Sequence, residues 1–106
     1  MTIQKSDILQ EVERCFGVPA ADICNPKLRP ERDLIAARRA AIWLMREFLD
    51  LSQREIARLL KLSRTTVFNA LQYVSKMADL QLEKAIEEIE DKLDELAVQR
   101  MAEAAR

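Results

Sequence analysis

Residues 52–74 read SQREIARLLKLSRTTVFNALQYV, two short helical periods with one break between them. Ser52 and Glu55 have capping-box spacing, the serine accepting from the N3 amide while the glutamate reaches back to the cap amide. They predict a helix through Leu60, with Ile56, Leu59 and Leu60 turned inward. Lys61-Leu62 reads as a tight turn, and Ser63 is a good N-cap for a second helix from Arg64 to about Ser75. Val67, Ala70, Leu71 and Val74 form its inner face. Two short helices joined by a turn of about three residues describe a helix-turn-helix, here over residues 52–75. Ala57 is small where the two helices must approach closely, and Leu62 and Val67 fill the wedge between them.

With the inner positions taken, Ser63, Arg64, Thr65, Phe68, Asn69 and Gln72 face outward or sideways. Those side chains suit a DNA major groove. Arginine forks onto guanine, asparagine onto adenine, threonine contacts a base or a phosphate, and an apolar ring touches a thymine methyl. A helix N-terminus adds backbone amides for phosphate.

Working outward, a long helix is predicted from Pro30 or Glu31 to Leu49. Leu34, Ala37, Ala41, Leu44 and Phe48 make an apolar stripe that Ile35, Ile42 and Leu49 widen. So broad a stripe, with Trp43 alongside as a core residue, belongs to a central helix with several neighbours. Arg32, Arg39 and Arg46 are seven apart and share one edge, with Arg38 adjacent. Before it, residues 25–30 (NPKLRP) form a basic loop in which two prolines flank Lys27 and Arg29. Nearer the N-terminus, Ile8, Leu9, Val12 and Phe16 predict a helix from about Ser6 to Phe16, stopped by Gly17. Pro19 then opens a short helix through Ile23. After the helix-turn-helix, an amphipathic helix is predicted from about Ala78 to Ala104. Leu82, Ile86, Ile89, Leu93 and Leu96 form a heptad seam, with Arg100 where the next apolar residue should fall. A seam this short is expected to pack within the chain, with a two-chain coiled coil as the alternative.

Composition agrees with an all-α fold. The 106 residues include 49% apolar and 33% charged side chains but one Gly, three Pro and 5% aromatics. Sheet proteins draw on turn glycines and on aromatic and β-branched runs, so helices are favoured. The length fits a single domain over residues 1–106. One glycine cannot build a P-loop or a dinucleotide fingerprint, and the absence of histidine removes His-based triads and zinc sites. Cys15 and Cys24 match no redox or metal spacing and are expected to be reduced and structural. Carboxylate pairs such as Glu87 with Asp91 fit a solvated acidic face. No catalytic constellation, cofactor, metal or small-molecule substrate is expected. No signal-peptide core or stretch of about 18–20 apolar residues is present, so a cytoplasmic chain with no membrane partner is expected.

Charge is segregated along the chain. Residues 1–24 carry net −2, residues 25–75 net +5 and residues 76–106 net −4, within an overall charge of −1. Only the middle should attract a polyanion.

Three residue groups carry a resemblance. Arg32 is followed by Ala37-Arg38-Arg39 and Ala41-Ile42-Trp43-Leu44; Leu51-Ser52 precedes Glu55-Ile56-Ala57; Thr65-Thr66-Val67 precedes Ala70. In order and spacing they resemble the basic-loop arginine and helix start, the Leu-Ser-x-x-Glu-Ile-Gly run and the Asp-His-Thr-Thr-Val signature of the C-terminal DNA-binding domain of the bacterial replication initiator DnaA. The likeness runs from about Ile8 to Ala97. It implies that Arg32, or Arg29 nearby, reaches into a minor groove. It also implies that Arg38 and Arg39 hold phosphates, with Arg46 adding another on the same edge. Thr65 would read bases, Thr66 would bind phosphate and Phe68 would meet thymine methyls. Ser63-Arg64 replaces Asp-His, Leu62 stands where the family has Arg, the turn is one residue shorter, and Pro30 and Glu31 interrupt the basic loop. A changed target sequence is therefore expected.

The resemblance implies a bacterial, nucleoid-associated protein that binds double-stranded DNA and regulates replication initiation without an ATPase. The alternatives are a helix-turn-helix transcription regulator, and an adaptor that keeps the fold without binding DNA. A homodimer or a protein partner is expected to use the acidic C-terminal helix.

Overall fold

The computed structural model describes residues 3–76 and 79–105. Among these residues six helices occur and no strand: α1 (Lys5–Phe16), α2 (Ala20–Ile23), α3 (Arg32–Leu49), α4 (Gln53–Leu60), α5 (Arg64–Ser75) and α6 (Leu80–Ala104). The all-α class is as expected, and the boundaries follow local chemistry. Gly17 stops α1 at φ 69°, a left-handed conformation that glycine adopts without a Cβ penalty. Ser52 and Glu55 form both arms of the capping box on α4. Pro19 stands at the N-cap of α2, and Glu31 at that of α3, so the long helix begins one or two residues later than its sequence implies. The predicted start of the last helix, Ala78, lies outside the described residues; the cap seen there is Asp79, whose carboxylate accepts from the Leu82 amide.

The central position of α3 explains its broad stripe. It packs against all five other helices. Its Leu34, Ala37, Ala40, Ala41, Ile42, Leu44 and Met45 are buried, while Ile35, Phe48 and Leu49 are half-buried at the margins. Four alanines over residues 36–41 let the neighbouring helix axes come close, and larger residues would hold them apart.

The α6 seam closes on this same core. Leu82, Ile86, Ile89 and Leu93 are buried within one chain, against α1 and α3. The break in the seam also has a structural role. Arg100 makes a two-pronged ion pair with Asp7 at 2.7 and 2.9 Å, fastening the far end of α6 to the first turn of α1. Among the described residues no helix is long and apolar enough to cross a membrane.

Candidate nucleic-acid interface

The turn between α4 and α5 sets the geometry of the site. Lys61 takes a left-handed conformation at φ 57°, and the Leu62 amide bonds back to the Ala57 carbonyl at 2.9 Å. This closes α4 in a Schellman-type turn and tucks Leu62 against the core. Ala57 is buried at the helix contact, as its size implies. Ser63 then caps α5: its Oγ accepts from the Thr66 amide at 3.1 Å and pairs with the Thr66 hydroxyl at 2.7 Å. The first-turn amides of α5 are left without partners inside the helix, as at any helix start.

The outer surface of α5 divides in two. Ser63, Thr66 and Asn69 line a groove whose other wall is α3, through Ile35, Arg38, Arg39 and Ile42. Pro26 and Pro30 from the basic loop close one end. Arg64, Thr65, Phe68 and Gln72 stand on the exposed side of the same helix. Phe68 is 44% exposed, which places its ring outside the core.

The five arginines of the basic loop and the α3 edge have different surroundings. Arg38 is half-buried and donates to the carbonyls of Ile23, Asp22 and Asn25. These carbonyls lie at and just beyond the end of α2, where Asp22 and Asn25 also accept from the Asn25 and Leu28 amides, and burial presses the pKa of the guanidinium downward. Arg38 therefore ties the loop entrance to α3, an engagement that helical register alone does not reveal. Arg39 lies over the Tyr73 ring, 3.6 Å from its centroid. It borders both the groove and a second depression that it shares with Arg32. Arg46 is exposed, two turns further along the same edge. Arg29 is exposed in a different depression, beside the carboxylate residues Asp22, Glu31 and Asp33. The groove thus gathers Arg38, Arg39, Ser63, Thr66 and Asn69, Arg32 adjoins it, and Arg29 lines neither depression.

Sequence inspection passed over Tyr73. Its ring supports Arg39, and its hydroxyl donates to Asp79 at 3.2 Å. The Leu82 amide, the Tyr73 hydroxyl and the Arg39 charge all hold the Asp79 carboxyl below the usual range, the amide most strongly. An arginine edge, the end of α5 and the cap of α6 are consequently one connected unit. The only signal in the sequence was Tyr73 at the outer end of the α5 inner face, too weak to single out alone.

A scan against protein-family models matches residues 5–74 to the bacterial DnaA protein helix-turn-helix. No curated protein matches the chain in a similarity search.

Proposed function

Because this chain belongs to the bacterial DnaA helix-turn-helix family, whose domain binds double-stranded DNA, we propose that its α3–α5 groove is a sequence-selective duplex interface. The observation that carries this is the facing of Ser63, Thr66 and Asn69 by Arg38 and Arg39 across one groove. The first turn of α5 enters the major groove, where Arg64, Thr65, Phe68 and Asn69 contact base edges. Thr66 and the free amides of that turn meet a phosphate, and Ser63 holds the turn in shape. Arg39 and Arg46 bind the flanking strand as phosphate contacts, and Arg38 acts by fixing the loop. Arg32, adjoining the groove, is the better of the two candidates for the minor groove. Arg29, among carboxylates, contributes general attraction only.

In this proposal residues 1–106 act as one domain that occupies initiator-type sites and so regulates replication initiation. The sequence holds one glycine, too few for a P-loop, so these residues supply site occupancy and no nucleotide-driven step. Titrating a labelled duplex at several salt concentrations tests the proposal. If about 5 or 6 phosphates are contacted, the log–log slope should lie near −4 to −6. A flat response, or no binding at low salt, would overturn it.

A further inference from the structure

On the flank of α3 away from the DNA-facing groove, a second cleft runs between α3, the end of α5 and α6. Its floor is apolar: Trp43 and Val74 are half-buried there, with the buried Leu82 and Ile86 beside them. Glu47 stands on one side, and Glu83, Glu87 and Glu90 stand in a row on the other. Among the described residues no lysine or arginine forms an ion pair with any of these four carboxylates. Glu47 and Glu90, on different helices, line the same cleft, and Glu47 is near enough to help burial raise the Glu90 carboxyl pKa. Once Glu90 ionises, like charges so placed gain from an added cation. From Leu82 to Glu90 the α6 wall runs about 12 Å, room for two to three turns of a helix laid along it. More than half of the lining of this cleft lies beyond the residues matched to the family, since α6 begins at Leu80.

We propose that this cleft docks a basic amphipathic helix from a protein partner. The apolar stripe of such a helix would rest on the half-buried Trp43 and Val74, and its lysines or arginines would reach the carboxylates on either side. Charge complementarity selects this occupant. Phosphates would be repelled by this acidic rim, so nucleic acid does not suit the cleft. The inference does not depend on the DNA reading, and its test contains no DNA.

Trp43 is the sole tryptophan of the chain, so its fluorescence reports this cleft directly. The probe is a synthetic helical peptide of about 14 residues with leucines at i, i+3 and i+7 flanked by lysines. Saturable change in Trp43 emission is expected, with binding at least about tenfold weaker for a scrambled peptide of equal composition, which keeps the charge and loses the stripe. The E83Q/E90Q double variant should lose about tenfold in affinity while keeping its helical circular dichroism. Docking should also tighten as pH rises toward 8. The Glu90 carboxyl is pushed up to about 8 by burial, by the nearby Glu47 and by the charges of Asp94 and Glu87, and must ionise to meet a cation. Equal binding of the scrambled peptide, unchanged binding by E83Q/E90Q or the absence of a saturable signal would each overturn the proposal. So would an emission change that follows protein concentration alone, which would assign the cleft to a second copy.

Discussion

The Arg39 guanidinium rests over the ring of Tyr73, 3.6 Å from its centroid, and Tyr73 in turn donates to Asp79, the cap of α6. An arginine on an exposed helix edge has many rotamers, and ordering it on binding costs free energy. The aromatic shelf would remove part of that cost ahead of the proposed phosphate contact. In the proposed interface, α6 would thereby contribute without touching DNA.

Replacing that shelf should weaken DNA binding without altering which sequence is preferred. For Tyr73→Leu we expect a loss of about 2- to 5-fold, the range of an exposed cation–π contact, across all duplexes. Tyr73→Phe, which keeps the ring, should lose less. Fluorescence anisotropy against specific and mixed duplexes measures both.

Arg38→Ala should cost stability as well as affinity. The change leaves carbonyls at the end of α2 without their charged donor, at about 1–2 kcal/mol for a half-exposed set of bonds. Arg38→Lys should recover little, because a single ammonium cannot reproduce the fork. Urea unfolding of the two variants is the measurement, and a fully stable Arg38→Ala would show that the loop anchor is unimportant.

Ser63→Ala removes the cap of α5 and should destabilise by about 1 kcal/mol. Ser63→Asn preserves a capping acceptor and should restore the lost stability. If both variants unfold like the parent, the first turn of α5 is held by something other than this hydroxyl.

Burial of Glu90 beside Glu47 makes stability depend on pH. The Glu90 carboxyl, ordinarily near 4.5, is raised to about 8 in the folded chain. Folded protein then holds a proton that unfolded protein has released, so this contribution is fully present below about 4.5 and fades as pH climbs through 8. Glu90→Gln should flatten that dependence and be the more stable form at neutral pH. Thermal melts from pH 5 to 8.5, about the span of the shift, test the sign.

Much of the fold was legible because caps and stops are local. Gly17, Ser52 with Glu55, and Ser63 mark helix ends through bonds to residues three or four away. The apolar spacing of α3 likewise carried its central position, and the α6 seam pointed to burial without saying against what. Arg38 and Arg39 show where such legibility ends. They are neighbours in sequence and both looked like phosphate ligands, yet one is engaged by carbonyls 13 to 16 residues away and the other by a ring on α5. Those partners are set by how α2 and α5 pack on α3, which no pattern within a single helix encodes. The same holds for Arg29, whose carboxylate neighbours come from both sides of its loop.

Selection from a randomised duplex library, run with the parent chain and with Thr65→Ala, tests base reading by α5 most directly. The parent should enrich one short asymmetric motif, as suits a single reading helix beside one arginine edge, and Thr65→Ala should relax one or two positions while Tyr73→Leu leaves the motif intact. Enrichment of no motif, or of an identical motif by Thr65→Ala at equal affinity, would contradict the assignment of α5 as the element that reads the bases.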